Sequence, residues 1–78
     1  MAKKASKNSA DAVYKIVEVV GSSPTSWEDA ARAAVESAAK TLRDLRVAEV
    51  TKLDMKIDKS GRVVAFRARV SMSFKYEG

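Results

Sequence analysis

The sequence predicts an α+β fold, a β-α-β-β subunit in which a three-stranded antiparallel sheet wraps around one helix. Three observations support this fold class. Residues 12–20 are rich in β-branched and aromatic types, a helical apolar stripe begins at Trp27, and residues 62–76 alternate between apolar and polar side chains. A turn signal at residues 58–61 precedes the last strand, so we expect the second and third strands to form an antiparallel hairpin.

The first predicted strand covers residues 12–20 and is expected to end at the Gly-Ser-Ser-Pro segment that starts at Gly21. Both faces of this strand carry large apolar side chains, with Val13, Val17 and Val19 on one face and Tyr14, Ile16 and Val20 on the other. A strand that is apolar on both faces is usually covered on both faces. A subunit with a single helix cannot easily provide that cover, so the pattern indicates contact with another subunit.

The helix is predicted over about residues 26–45. Its N-terminus has two candidate caps, because Thr25 lies three residues before Glu28 and Ser26 lies three residues before Asp29. The apolar stripe of the helix consists of Trp27, Ala31, Ala34, Val35, Ala38, Leu42 and Leu45. The middle of this stripe is mostly alanine, so we expect the sheet to approach the helix backbone closely.

The second strand is predicted over residues 46–57 and the third over residues 62–76. Apolar positions in the second strand change parity between Val50 and Leu53, which predicts a β-bulge between them. Gly61 is available for a positive φ in the hairpin turn. The third strand would span about 50 Å, whereas the predicted helix would span about 30 Å. The hairpin therefore outreaches the helix, which is a second argument for assembly.

Composition excludes several classes of function. The chain has 78 residues, with no cysteine and no histidine. Disulfides, thiolate metal sites and catalytic triads that need Cys or His are therefore excluded. The sequence contains no Gly-rich nucleotide-binding motif. We expect a protein that is not an enzyme, and a domain of this size without such staples usually gains stability by oligomerisation.

Residues 1–11 differ from the rest of the chain. They are basic and polar, with no large apolar residue after Met1, and are predicted to be a disordered tail, while residues 12–78 form the domain. The tail lacks the apolar centre of a secretory signal, so a cytoplasmic location is expected. The net charge of +5 permits binding to nucleic acid without requiring it.

The polar residues of the hairpin leave alternatives open. Arg67, Arg69 and Lys75 share one face of the third strand and could neutralise phosphates of RNA, of a nucleotide cofactor or of coenzyme A. They could instead pair with acidic residues across a subunit interface, namely Glu18, Glu49 or Asp54. The interface interpretation is favoured over RNA binding because no aromatic residues are interleaved among the basic ones.

Two further features, the Asp54 and Asp58 carboxylates and the Trp27 side chain, have two interpretations each. Asp54 and Asp58 carry carboxylates that could bind a hard cation such as calcium, or they could be solvated residues around the turn. Trp27 lies on the apolar stripe of the helix, where it could pack in the core or offer a stacking surface to a planar ligand.

Several segments resemble the dodecin family. They are residues 13–24, 27–30, 40–43, 47–50 and 70–74, and in the family's order they cover nearly all of residues 13–76. The resemblance implies a β-α-β-β subunit and an assembly of twelve subunits in a hollow sphere with cubic symmetry. It also implies flavin sites, for FMN or riboflavin, between subunits near the three-fold axes, and a role in storage or sequestration.

The resemblance also implies which residues line the ligand site. Val47 occupies the position of the tryptophan that stacks on the flavin ring, and Arg67 that of a glutamine that hydrogen-bonds the ring edge. Arg46 and Glu49 complete the cofactor-binding set. Loss of stacking can cost roughly 1–3 kcal/mol per face, and arginine is a donor-only cation. The resemblance therefore predicts an altered flavin-type site.

A second resemblance leads to the alternatives for the ligand. The Arg-Val-Ala segment at residues 46–48 is similar to a dodecin branch with a calcium-binding member. The changes at Val47 and Arg67 leave one alternative, a shell without flavin affinity that binds calcium or coenzyme A or is purely structural. A second alternative is a small RNA-binding module that uses Arg67, Arg69 and Lys75.

Overall fold

The computed structural model describes residues 12–75 and confirms the predicted order of elements. The elements are β1 (Tyr14–Ser23), α1 (Trp27–Ala39), β2 (Leu45–Ile57) and β3 (Val63–Lys75). They form one antiparallel sheet in the order β1-β3-β2, with α1 on one face. The tail predicted at residues 1–11 lies outside the described residues, as do residues 76–78.

β1 lies further along the chain than the predicted residues 12–20, because it begins at Tyr14 and ends at Ser23. The strand does not break at Gly21 but continues to Ser23, and Gly21 pairs with Ala68 while Ser23 pairs with Phe66. Gly21 is buried beneath α1, where its missing side chain allows the helix and the strand to approach closely. The glycine therefore serves packing between elements at this position and is not a strand breaker.

α1 begins at the second of the two predicted caps. The side chain of Ser26 accepts a hydrogen bond of 3.0 Å from the backbone N–H of Asp29. Ser26 thus provides an acceptor for one of the backbone N–H groups that the first turn of a helix leaves without a partner.

The helix ends at Ala39, well before the predicted end at residue 45. The amides of Thr41 and Leu42 both donate to the carbonyl of Ala38, which closes the last turn. Asp44 then adopts a φ of 58°, a left-handed conformation that turns the chain into β2. The predicted helical stripe extended to Leu45 because this residue packs on the same core as α1, although it does so from the start of β2.

The β2–β3 hairpin confirms the predicted bulge and turn. The register of β2 on β3 shifts between Val50 and Lys52, and Gly61 has a φ of 87°. Further shifts between Leu45 and Val47 and between Lys56 and Ile57 were not predicted. The bulge keeps the apolar residues on both sides of it on the side of the sheet where α1 lies.

The buried core is small. Within the described residues it consists of Ala30, Ala34, Ala68, Val70 and Met72. α1 and β3 each have 13 residues, so α1 spans about 20 Å and β3 about 43 Å. The hairpin therefore extends past the helix, and Val64 on its helix-facing row is 44% exposed. Within residues 12–75, no helix has the length and hydropathy needed to cross a membrane.

Candidate ligand site and exposed apolar surface

The open face of the sheet, which is the face turned away from α1, carries most of the residues predicted for ligand binding. Cross-strand partners share a face, so the register assigns each side chain. Val47 pairs with Ser73, Glu49 pairs with Ser71, and Asp54 pairs with Arg67. All of these pairs lie opposite the helix-facing row of Ala68, Val70 and Met72.

Val47 and Arg67 are far apart within one subunit. Six residue steps along β3 separate Ser73, the partner of Val47, from Arg67. At about 3.3 Å per residue this distance is about 20 Å. The two side chains cannot contact one ring system from the same subunit. A flavin-type site that uses both positions needs Val47 from one subunit and Arg67 from another.

Val47 and Arg46 line a small recess. Its volume is about 90 Å³, and its other lining residues are Val35, Leu45, Ala48 and Met72. Pockets that enclose drug-sized ligands usually measure about 300–1,000 Å³. Val47, which lines this recess, is 62% exposed. One subunit therefore offers an open aliphatic surface here and no pocket for a flavin ring.

Arg67 and Asp54 form a bidentate ion pair across β2 and β3. Nε of Arg67 lies 2.7 Å from Oδ1 of Asp54, and Nη2 lies 2.9 Å from Oδ2. The hydrogen bonds from Arg67 lower the pKa of Asp54, and the carboxylate in turn raises the pKa of Arg67. Asp54 was one of the acidic partners predicted for the basic face, but the pairing lies within a subunit and not across an interface.

Asp58 organises the hairpin turn. Its Oδ1 accepts hydrogen bonds from the amide and the hydroxyl of Ser60, at 2.9 and 2.8 Å, and from the amide of Arg62 at 3.0 Å. The hydrogen bond from the Arg62 amide, followed by that from the Ser60 hydroxyl, lowers the pKa of Asp58. The carboxylate thus holds the turn closed.

The acidic residues that the structure describes do not form a calcium cage within one subunit. Calcium takes six to eight oxygen ligands. Among residues 12–75 no three Asp, Glu, His or Cys side chains come together in a group that could hold a metal ion. Asp54 is paired with Arg67 and Asp58 with the turn, so a calcium site at either residue stays a prediction.

Trp27 connects the start of α1 to the hairpin. Its Nε1–H donates a hydrogen bond of 3.0 Å to the carbonyl of Asp54, and its ring meets Phe66 edge to face, with centroids 5.1 Å apart. These contacts favour the packing interpretation over an open stacking surface.

A row of two glutamates and a serine crosses the open face, and the sequence did not predict it. Ser71 pairs with Glu18 on one side and with Glu49 on the other. Adjacent strands lie about 4.8 Å apart, so the two glutamate Cα atoms are about 10 Å apart. Only the register of all three strands brings these residues into one row.

Within the described part of one subunit, two apolar features remain uncovered. The first is an open groove of about 640 Å³ between β1 and α1, lined mainly by Val17, Val19, Ala33, Ala34, Ala38 and Leu42. The second is a set of eleven exposed large apolar residues within residues 12–75, namely Val13, Tyr14, Ile16, Val20, Val47, Val50, Leu53, Met55, Ile57, Val63 and Val64.

Comparison with known proteins shows the family. The family model named Dodecin matches residues 13–77. The chain belongs to the dodecin family. Dodecins are ligand-binding or storage proteins and not enzymes, which confirms the prediction made from composition.

Individual dodecins resemble the chain over most of its length. The calcium dodecin of Mycobacterium tuberculosis is 44% identical over 63 residues, which are 81% of this chain and 87% of that protein. The crystal structure of this calcium-chelating antigen has a TM-score of 0.75, with 43% identity over 83% of this chain and 91% of that one.

Two further solved dodecins support the same fold. The dodecin of Streptomyces coelicolor has a TM-score of 0.81, with 34% identity over 90% of this chain and 99% of that one. A variant of the T. thermophilus dodecin has a TM-score of 0.78, with 37% identity over 87% of this chain and 100% of that one. The β-α-β-β subunit is thus shared with dodecins from several organisms.

Proposed function

We propose that the protein forms a closed homo-oligomer, a hollow shell of twelve subunits, that binds and stores a small ligand at its subunit interfaces. The observation that carries this proposal is the imbalance of apolar surface. Within residues 12–75, five apolar residues are buried and eleven large ones are exposed. Large apolar side chains exposed in this number on both faces of a small sheet indicate surfaces that become covered in an assembly. Copies of the same chain are the partners that the family supports.

We propose calcium as the ligand in preference to a flavin. Val47 is aliphatic where flavin stacking needs an aromatic ring, and two N–H donors of Arg67, on Nε and Nη2, are engaged with Asp54. The relative named calcium dodecin supports the cation. Each subunit contributes the carboxylate of Glu49 beside the hydroxyl of its cross-strand partner Ser71. Copies of this pair around a symmetry axis would supply the number of oxygens that calcium requires.

Native mass spectrometry of the purified protein at micromolar concentration tests the assembly. A subunit count of twelve is expected, and denaturing spectra of the same sample report any ligand that was carried along. A protein that stays monomeric at this concentration contradicts the proposed shell.

Calorimetric titration with calcium tests the identity of the ligand. FMN and riboflavin are titrated in parallel, and their binding is detected by flavin fluorescence. Calcium binding is expected to weaken in Glu49→Gln and to be retained in Glu36→Gln, a matched change on the exposed side of α1. Loss of binding in Asp58→Asn instead would place the site at the turn. Tight flavin binding by the unaltered chain contradicts the preference for calcium, and binding of neither ligand would leave coenzyme A or a structural shell.

A further inference from the structure

We propose that the β2 edge of a second copy docks against the β1 edge, so that Val50, Leu53 and Met55 of that copy enter the groove between β1 and α1. This inference rests on the proposed self-assembly and names the surface that produces it. The occupant of the groove is then a second copy of the chain.

The accepting surface is the open side of β1. β1 is an edge strand, since β3 is its partner and the sheet order ends there. Unpaired backbone groups along a strand edge readily accept another strand. Beside this edge lies the groove of about 640 Å³, whose wall on α1 includes the small side chains of Ala33, Ala34 and Ala38. The groove thus leaves room for large apolar side chains.

The donating surface is the helix-facing row of β2, which its own helix does not cover. Val50 and Leu53 pair with the buried residues Val70 and Ala68, yet they are 47% and 50% exposed, and Met55 is 43% exposed. Three strands are about 14 Å wide, whereas a helix with its side chains is about 10–12 Å across. One helix centred over β1 and β3 therefore leaves the row on β2 uncovered.

Docking the two edges joins these surfaces. A strand placed beside β1 in the plane of the sheet presents its helix-facing row to the free flank of α1. In that arrangement each helix covers β1 and β3 of its own subunit and β2 of the next. The apolar row of one copy then fills the open groove of the next copy. Within a single subunit both surfaces stay exposed.

The charges on the opposite face agree with this contact. Glu18 lies on the open face of β1 and Lys52 on the open face of β2. Neither has an ion-pair partner within residues 12–75. Acidic and basic residues on adjacent strands stabilise strand pairing. The open face of β1 thus offers an acidic side chain to Lys52 on the open face of β2 in the docked copy.

The contact is heterologous, because the two participating surfaces differ. A heterologous contact closes into a ring or extends into a fibre, according to the rotation between copies. It also permits complementation, since a copy with a blocked groove still has its β2 row, and a copy with a damaged row still has its groove.

The test uses Ala33→Trp to fill the groove and Met55→Asp to place a charge in the β2 row. Each variant alone is expected to lose the subunit count of the unaltered chain. A mixture of the two is expected to form a species that contains both chains in equal numbers, as seen by native mass spectrometry. Ala39→Trp and Lys59→Asp are the matched controls, on the far side of α1 and in the turn, and should keep the original count.

Circular dichroism establishes that each variant is folded. A folded Ala33→Trp variant with an unchanged subunit count would overturn the proposal, as would the absence of any mixed species. If either variant does not fold, charge reversal at exposed positions decides the question. Glu18→Lys and Lys52→Glu should each weaken assembly and should restore it when combined, whereas no rescue would overturn the contact. A monomeric unaltered chain would instead contradict the proposed shell itself.

Discussion

A Cβ atom placed on Gly21 would overlap the carbonyl oxygen of Ala30 and would lie 3.0 Å from the Cβ of Ala34. Strand and helix therefore meet here through their backbones. This contact fixes the distance between β1 and α1, and with it the shape of the groove beside them.

Gly21→Ala is expected to destabilise the protein. The added methyl group would force α1 away from β1, and overpacking of this kind typically costs about 1–3 kcal/mol. Urea unfolding at a fixed protein concentration measures the change. Ser22→Ala, at the exposed neighbouring position, should have little effect, and equal stability of the two variants would contradict the close contact.

The Asp54–Arg67 pair is expected to make stability depend on acidity. The pKa of Asp54 lies below its ordinary value of 3.8, chiefly because Arg67 hydrogen-bonds the carboxylate. The folded state thus gains stability above pH 3.8 and loses it as the pH falls through the lowered pKa. Melting temperatures between pH 7 and pH 2 should fall less steeply for Asp54→Asn than for the unaltered chain. Arg67→Gln should show the same flattening, and unchanged slopes in both would refute this linkage.

Val47→Trp is expected to create or strengthen flavin binding in the assembled protein. One stacking face contributes roughly 1–3 kcal/mol, which corresponds to a decrease in Kd of about 5- to 150-fold. Quenching of FMN fluorescence measures the change. Val63→Trp places the same ring at an exposed position near the hairpin turn, away from the groove, and serves as the control. Equal affinities for both variants would show that position 47 is not special.

Thermal stability is expected to increase with protein concentration. When the folded subunit is stabilised by its partners, mass action raises the Tm as the concentration rises. Scanning calorimetry or intrinsic fluorescence from about 1 to 100 μM should show an increase of several degrees. A Tm independent of concentration would indicate that the five buried residues suffice for stability.

The order of elements, the bulge and the turn follow from local patterns, and the sequence predicted them. The ends of β1 and α1 depend on tertiary contacts. In the sequence Gly21 resembles a strand breaker, and only the packing of α1 against it explains why β1 continues. Leu45 fits the helical apolar pattern although it belongs to β2. Periodicity reports which side chains face the core and not which backbone carries them.

The candidate site was predictable only one residue at a time. Val47 and Arg67 could be singled out by resemblance, but their separation of about 20 Å requires the register of β3. The pairing of Arg67 with Asp54 within one subunit also depends on that register, because the bulge in β2 decides which residues face each other. The same holds for the row that Ser71 forms with Glu18 and Glu49.

The small core has a consequence for the tolerance of the chain to mutation. Three of its five residues are alanines, so few buried side chains in one subunit can be shortened by mutation with a measurable loss of stability. In the proposed shell, a change at Val50 or Leu53 would be repeated in every copy. A saturation-mutagenesis screen would then find these exposed positions as intolerant as interior ones, and solvent accessibility computed on a single chain would rank them wrongly.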